Sequence, residues 1–166
     1  KNITLFRGKA LIQWAIEHAE GSKYIDRIVV STEDQAIALH AGKYFLERPA
    51  FLAEDRVPTE AVMVHVLHQV TTYDFAVLLQ PTSPLRSIED IDRSIEIAVT
   101  KNGINNLTGC VSYNEYGNRN GAIFVCNVRH FLQHLSFDAA HHYAMPNSRS
   151  LDINYAWDLK DENSNR

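Results

Sequence analysis

The chain has 166 residues, which is enough for one domain with a sizeable hydrophobic core. Hydrophobic residues make up 45% of the sequence and charged residues 22%, which is typical of a globular protein. The formal net charge of −4 gives no general attraction to nucleic acid or to an acidic membrane face, so neither is expected as a partner.

Hydrophobic periodicity divides the chain into alternating helices and short strands. In chain order, the pattern predicts a helix at 8–20, a strand at 26–31, a helix at 32–41, a strand at 44–46, a loop at 48–58, a helix at 58–70, a strand at 75–79, a helix at 88–100, strands at 107–112 and 122–126, a helix at 128–134 and a further helix from Tyr155. Thr32 is the expected cap of the second helix. The apolar face expected on the helix at 88–100 consists of Ile88, Ile91, Ile95 and Val99.

This alternation of helices and apolar strands predicts an α/β fold. We expect a three-layer sandwich with a mostly parallel, twisted sheet, in which residues 1–166 form a single domain. Sheets of this kind bind ligands beyond the carboxyl ends of their strands. We therefore expect a ligand to bind near Ser31 and Thr32 and near the loop after Leu79.

Two cysteines, Cys110 and Cys126, each lie in an apolar run typical of a strand. Their spacing does not fit a zinc site, so we expect two reduced thiols in the protein core. The sequence shows no signal peptide and no apolar run long enough to span a bilayer. Together these features predict a cytoplasmic protein.

Residues 80–86 read QPTSPLR and directly follow the apolar run FAVLL. Each proline fixes its own φ and restricts the residue before it, so the loop is expected to be stiff. The hydroxyls of Thr82 and Ser83 lie between the prolines, and Gln80 offers an amide that can donate and accept. Arg86 adds a cationic fork suited to carboxylate or phosphate, which indicates a binding loop.

QPTSPLR after a strand ending in LLQ strongly resembles the signature of the acylneuraminate cytidylyltransferase family. Members of that family make CMP-sugars from CTP and sialic, legionaminic, pseudaminic or related acids. The further segments that match family motifs, in the family's order, are 1–3 (KNI), 8–11 (GKAL), 26–32 (DRIVVST), 48–50 (RPA), 52–55 (LAED), 120–124 (NGAIF) and 150–154 (SLDIN). The resemblance implies a Rossmann-like nucleotide-diphospho-sugar transferase fold and a homodimer.

The resemblance also implies roles for individual residues. The implied nucleotide contacts are Lys1, Asn2, Arg48, Thr59, Gln80, Pro81, Thr82 and Ser83. The implied contacts to the sugar acid are Gln80, Arg86, Asn120 and Phe137. The implied catalytic residues are Lys1, Arg86 and Asp152. The implied ligands of a Mg²⁺ cofactor are Asp152 and Asn154.

Seven of the residues with implied roles have a structural alternative. The alternatives are a solvated chain end for Lys1, an ion pair with Glu47 or Asp55 for Arg48, a first helical turn for Thr59, an ion pair with Glu89 or Asp90 for Arg86, a turn before a strand for Asn120, an ordinary core aromatic for Phe137 and a helix cap for Asp152. Residue types alone leave these alternatives open.

The sequence departs from the family's pattern at several points. Asn154 replaces the second acidic residue of the metal motif, and Phe124 replaces a tyrosine. The family's first strand and most of its glycine-rich phosphate loop lie outside this sequence, and the connection at 113–118 is shorter than the family's. We therefore expect the sequence to join parts of a longer protein.

The resulting hypothesis is an enzyme that converts CTP and an N-acylneuraminate-type nonulosonic acid to a CMP-sugar and pyrophosphate. Legionaminic or pseudaminic acid is the alternative substrate, and the eight-carbon acid Kdo is disfavoured because the motifs of that branch are built differently. A second hypothesis is a non-catalytic relative that binds nucleotide, which Asn154 and the absent loops favour. A dinucleotide-dependent oxidoreductase is disfavoured because no Gly-x-Gly-x-x-Gly follows a strand.

Overall fold

The structure is a computed structural model that describes residues 1–70, 73–100, 109–139 and 141–159. Its α-helices are α1 (Leu11–Gly21), α2 (Gln35–Ala41), α3 (Thr59–Gln69), α4 (Ile88–Thr100) and α5 (Val128–His134). Its strands are β1 (Leu5–Phe6), β2 (Lys9–Ala10), β3 (Val30–Thr32), β4 (Phe45–Glu47), β5 (Phe75–Leu79), β6 (Cys110–Tyr113), β7 (Arg119–Asn127) and β8 (His141–Ala144). Short 3₁₀ turns lie at Gly42–Tyr44, Ala50–Ala53, Asn147–Arg149 and Ala156–Leu159.

The strands of the described ranges pair into three sheets. β1 and β2 form a short antiparallel hairpin, and β3 pairs with β4 in parallel. The largest sheet has the order β5-β7-β6-β8, with β5 and β6 antiparallel to β7 and β8 parallel to β6. Three of the strands in this four-stranded sheet therefore run in one direction, and β7 runs in the other.

The predicted α/β class is confirmed, but the strand pairing is more mixed than the mostly parallel sheet that we expected. A tight turn joins β6 to β7: the Asn114 N–H donates to the Asn118 carbonyl at 2.9 Å, and Gly117 has a φ of +80°. So short a connection returns the chain alongside the strand it has just left, which makes that pair antiparallel. Because β5 also pairs with β7, two of the three pairings in the sheet are antiparallel.

Element bounds follow the sequence prediction closely in some places and not in others. β5, α4 and α5 have the predicted bounds. α1 begins at Leu11 rather than at position 8, because residues 5–10 form the β1–β2 hairpin around Gly8, whose φ is +75°. The sequence pattern did not predict β8, and the first residues of the strand predicted at 107–112 lie outside the described residues.

The cap of α2 is a correction to the prediction. Asp34 rather than Thr32 is the N-cap, because its carboxylate accepts from the N–H groups of Ala36 at 2.7 Å and Ile37 at 3.3 Å. Thr32 lies two residues before Asp34, and its hydroxyl accepts from the Asp34 N–H at 3.1 Å. Thr32 therefore orders the turn before the helix.

α4 packs on the four-stranded sheet through a narrow apolar face. The core cluster formed where α4 meets the sheet consists of Ile91, Ile95 and Ala98 of the helix together with Cys110, Ala122, Ile123, Val125 and Met145. Ile88 and Val99, which were expected on the same face, are 38% and 50% exposed. The buried face is therefore centred on the middle of the helix.

Both cysteines are buried thiols in strands, as predicted, with Cys110 in β6 and Cys126 in β7. Burial raises the pKa of the Cys126 thiol to about 12, so this group stays protonated at neutral pH. None of the helices in the described ranges combines the length and apolar character that crossing a membrane requires.

Truncating the centre of this core tests the packing. Ile91→Ala should lower the free energy of unfolding by about 2–5 kcal/mol, because the side chain is 0% exposed and its removal leaves a cavity. Ile88→Ala on the same helix is the matched control and should cost about 1 kcal/mol or less. Urea denaturation of the purified protein measures both values, and equal losses would contradict this description of the core.

Candidate functional site

The QPTSPLR loop forms a closed turn directly after β5. The Ser83 N–H donates to the Gln80 carbonyl at 3.3 Å, and the side chains of Thr82 and Ser83 are 9% and 0% exposed. Pro84 is buried as well. The loop is therefore packed into the fold along its central residues, and its backbone has little freedom to move.

Arg86 lies inside the protein and holds this loop against β7. Its Nη1 donates to the carbonyl of Gln80 at 2.7 Å and to that of Ala122 at 2.8 Å, and the residue is 1% exposed. Burial lowers the pKa of the guanidinium to about 9, which leaves it charged at neutral pH. Its Nε and Nη2 are also buried and have no hydrogen-bond partner among the described residues.

Gln80 crosses the backbone of β7 at a glycine. Gly121 has a φ of +71°, and a Cβ built there would lie 3.0 Å from Oε1 of Gln80. A side chain at position 121 would therefore be strained and would press on the Gln80 amide. Glycine at this point lets the amide lie close to the strand at the exit of β5.

Residues 150–154 attach to the same loop. The Ile153 N–H donates to the Thr82 carbonyl at 2.8 Å, and the Ile153 side chain is buried with Phe6 and Leu11. Asp152 and Asn154 flank this anchored residue. The structure therefore brings the predicted metal motif next to the predicted binding loop, across a sequence separation of about seventy residues.

Lys1, Asn154 and Asp152 form a chain of hydrogen bonds. Lys1 Nζ donates to Asn154 Oδ1 at 2.8 Å, and Asn154 Nδ2 donates to Asp152 Oδ2 at 2.7 Å. Three of the predicted site residues thus lie together. Asp152 does not cap a helix: Asp158 accepts from the N–H groups of Asn154 and Tyr155, both at 2.7 Å.

The second carboxylate oxygen of Asp152, Oδ1, is buried and has no hydrogen-bond partner among the described residues. A buried carboxylate oxygen without a donor is unfavourable unless a cation or water meets it. Oxygen ligands in small number are what Mg²⁺ takes from proteins, so this residue fits the implied cofactor. Across the described ranges, no cluster of three or more His, Cys, Asp or Glu side chains is suited to a metal ion.

Asn120 and Phe137, expected near the sugar, lie in the interior. Asn120 is 7% exposed; its Oδ1 accepts from the Ser112 hydroxyl at 2.6 Å and its Nδ2 donates to the Ser150 hydroxyl at 3.1 Å. Phe137 is 8% exposed and packs on Phe124, with ring centroids 5.4 Å apart. As placed, Asn120 links β6, β7 and segment 150–154, while Phe137 belongs to the core.

Arg48 follows β4, and Thr59 is the first residue of α3. Arg48 Nε donates to Glu33 Oε2 at 2.8 Å, and a second N–H on Nη2 donates to the same oxygen. Burial would raise the pKa of Glu33, but the hydrogen bond from Arg48 lowers it. A surface cleft beside this pair is lined by Glu33, Glu47, Arg48, Pro49 and Ala50. In the described residues, no hydrogen bond or ion pair joins this place to Asp152.

The comparison with family models decides the family. The model described as cytidylyltransferase matches residues 1–145, which is most of the chain. The chain belongs to the cytidylyltransferase family. Its likeness to the solved structure of a CMP:2-keto-3-deoxy-manno-octonic acid synthetase complexed with CTP has a TM-score of 0.56 over 69% of this chain and 45% of that one. At 19% identity, this likeness supports the nucleotide-sugar transferase fold alone.

Among curated cytidylyltransferases, the N-acylneuraminate cytidylyltransferase of Escherichia coli is 29% identical over 195 aligned positions, which cover 96% of this chain and 46% of the relative. The CMP-N,N'-diacetyllegionaminic acid synthase of Legionella pneumophila is 34% identical over 58% of this chain and 45% of its own length. The pseudaminic acid cytidylyltransferase of Campylobacter jejuni is 32% identical over the same shares. The chain thus spans less than half the length of these relatives.

Three residues around the candidate site were not predicted from the sequence in the roles that the structure gives them. Glu33 holds Arg48, where Glu47 or Asp55 had been the alternatives. Asp90 pairs with Arg149 rather than with Arg86. The spacing of Ser87 and Asp90 at the start of α4 is a capping-box pattern, which a local search could have found. No local signal marks Arg149 as its partner, because 59 residues separate the two.

His18 should make this region sensitive to acid. Its Nδ1 is buried without a described partner, and burial together with the charge of Arg86 lowers its pKa from 6.5 to about 4. His18 therefore takes up a proton near pH 6.5 in the unfolded chain but only near pH 4 in the folded protein. Because the unfolded state binds more protons between these values, the free energy of unfolding falls as the pH drops from about 7 to 4. His18→Gln should remove on the order of 1–2 kcal/mol of that loss, a figure reduced for partial solvent screening.

Urea denaturation at pH 7 and pH 5 measures this difference. The matched control is His68→Gln, a substitution of an exposed histidine on α3, which should keep the acid sensitivity of the parent protein. Equal loss of stability in the parent and in His18→Gln would show that His18 does not titrate in this way.

Proposed function

We propose that the protein transfers a cytidylyl group from CTP to an N-acylneuraminate-type nonulosonic acid and releases pyrophosphate. The observation that carries this proposal is the hydrogen bond between Ile153 N–H and the Thr82 carbonyl, which joins the metal motif to the QPTSPLR loop. N-acetylneuraminate is the leading acid because the relative that aligns with 96% of the chain is an N-acylneuraminate cytidylyltransferase. Legionaminic and pseudaminic acids are the alternatives, in line with the other relatives.

In the proposed reaction, the anomeric hydroxyl of the acid attacks the α-phosphate of CTP while pyrophosphate leaves. Negative charge on the phosphate oxygens must be neutralised. The exposed ammonium of Lys1, which hydrogen-bonds to Asn154, is proposed to contribute. Alignment of the two substrates accounts for much of the catalysis of such a step. A loop held rigid by two prolines and a buried arginine is suited to that task.

Asp152 is the proposed ligand of Mg²⁺, through the buried Oδ1 that lacks a partner. The bound cation would supply neutralisation of the charge that develops on the triphosphate. Asn154 is a weaker candidate, because its oxygen already accepts a hydrogen bond from Lys1. It would join the ligands only by giving up that bond, and it would add no charge.

The remaining proposed contacts divide between the two substrates. Arg48 and Thr59, after β4 and at the start of α3, are assigned to the cytosine end of the nucleotide. Gln80, half-buried at the exit of β5, is assigned to the sugar carboxylate. Arg86 acts through the two carbonyls that it holds, rather than by touching the acid. The family resemblance also supports a homodimer and a cytoplasmic location as parts of this proposal.

A non-catalytic nucleotide-binding relative is the second candidate. Asn154 favours it, because an amide in place of a carboxylate leaves Asp152 as the single anionic side chain of the motif at 150–154. The two candidates share the nucleotide and differ in turnover.

A pyrophosphate-release assay separates them. The full-length protein, CTP and Mg²⁺ are mixed with N-acetylneuraminate, legionaminate or pseudaminate in turn. We expect release with at least one acid and the largest kcat/KM with N-acetylneuraminate. Nucleotide binding without pyrophosphate release from CTP in the presence of any of the three acids would reject the enzyme and favour the non-catalytic relative.

Replacing the proposed metal ligand should reduce turnover without unfolding the protein. Asp152→Asn is expected to lower the rate of pyrophosphate release by about 100-fold, because it removes the anionic ligand while keeping the side-chain shape. Asp138→Asn is the matched control: this carboxylate is 86% exposed, pairs with Arg119 and should leave the rate unchanged. A rate for Asp152→Asn within about twofold of the parent would argue against metal binding at Asp152.

A further inference from the structure

A buried carboxylate, Asp90, lies in the first turn of α4, and its side chain is 0% exposed. Ser87 holds it in a capping box. The Ser87 N–H and hydroxyl donate to Asp90 Oδ2 at 2.8 and 2.9 Å, and the Asp90 N–H donates back to Ser87 Oγ at 3.2 Å. Asp90 is therefore fixed to the residue that directly follows Arg86 at the end of the QPTSPLR loop.

Arg149 reaches the same carboxylate from another part of the chain. Its Nε donates to Oδ2 of Asp90 and its Nη2 donates to Oδ1, both at 2.8 Å. Two parallel hydrogen bonds fix the orientation of the guanidinium as well as its distance. The Tyr143 hydroxyl donates to Oδ1 at 2.9 Å, so a residue of β8 joins the same group.

The charge on Asp90 is maintained despite its burial. Burial by itself would raise the pKa of this carboxyl, but the hydrogen bonds from Arg149, Ser87 and Tyr143 lower it. Burial and the bond to Asp90 also raise the pKa of Tyr143 to about 12. The ion pair with Arg149 is therefore intact across the neutral range.

We propose that Asp90 and Arg149 are positioning residues that fix segment 150–154 against the QPTSPLR loop and so set the place of Asp152. Arg149 ends the 3₁₀ turn directly before this segment, and the Ile153 N–H to Thr82 bond of 2.8 Å attaches it on the far side of Asp152. Asp152 thus lies between two residues, Arg149 and Ile153, that are each hydrogen-bonded to the region after β5. The effect on metal use rests on the proposed function, whereas the positioning itself rests on these contacts.

Hydrogen exchange at the Ile153 amide tests the positioning without any turnover. Arg149→Lys keeps the charge but cannot reproduce the paired hydrogen bonds, and Arg149→Met removes both. In the full-length protein, each substitution should speed exchange at Ile153 by about tenfold or more, since losing a charge-assisted hydrogen bond shifts a local equilibrium by roughly that factor. Exchange at Val77 and Leu78 in β5 should change far less.

Arg93→Lys and Arg93→Met are the matched controls, because Arg93 is an exposed arginine of α4 that pairs with Glu96. They should leave Ile153 exchange unchanged. If Arg149→Met fails to fold, Arg149→Lys decides. Unchanged protection of Ile153 in Arg149→Lys overturns the proposal, and so does an equal acceleration at Ile153, Val77 and Leu78, which would indicate a general loss of stability.

A kinetic measurement extends the test to the active protein. Arg149→Lys should raise the Mg²⁺ concentration for half-maximal pyrophosphate release by about fivefold to tenfold, with little change in KM for the sugar acid. An unchanged Mg²⁺ requirement, together with faster Ile153 exchange, would overturn the link to Asp152. A parent protein that releases no pyrophosphate would reject the proposed function and leave the exchange result to decide the positioning alone.

Discussion

The candidate site depends on a guanidinium that the fold buries almost completely. Removing an arginine from water is unfavourable unless its N–H groups meet acceptors. The carbonyls of Gln80 and Ala122 supply two such acceptors, at 2.7 and 2.8 Å from Arg86 Nη1. Because one carbonyl belongs to the QPTSPLR loop and the other to β7, a shift of the loop along the sheet would break the hydrogen bonds of Arg86 Nη1. Nε and Nη2 of the same guanidinium are buried and have no partner among the described residues, so the two bonds of Nη1 matter more for holding the loop.

The second part of the site is built on that fixed loop. Segment 150–154 hydrogen-bonds to it through Ile153 and Thr82, and Asn120 on β7 reaches the Ser150 hydroxyl at 3.1 Å. The four-stranded sheet therefore positions Asp152 through both β5 and β7. Three separate parts of the sequence meet here through a sequence of contacts. Arg86 ties the loop to β7, Ile153 ties segment 150–154 to the loop, and Asn154 ties that segment to Lys1.

How far the sequence could predict this site depends on whether the information was local. The loop was found because two prolines and two hydroxyls occur within seven residues after an obvious strand. The burial of Arg86 was not predicted, because arginine is rarely buried and its fork suggests an outward contact. The pairing of Asp90 with Arg149 joins positions 59 residues apart, and no periodicity encodes such a contact. β8 escaped prediction because HHYA shows no clear alternation of apolar and polar residues.

Asn154 changes the character of the predicted metal motif rather than merely weakening it. Lys1 can only donate and a carboxylate can only accept, so one orientation of the amide satisfies both neighbours, with Oδ1 toward Lys1 and Nδ2 toward Asp152. An aspartate at position 154 would instead place two anionic oxygens next to each other, which is unfavourable until a cation neutralises them. With the amide, Asn154 Nδ2 holds the Asp152 carboxylate in place, and the buried Oδ1 of Asp152 has no partner among the described residues. The substitution thus exchanges one unit of negative charge for a site that is ordered in advance.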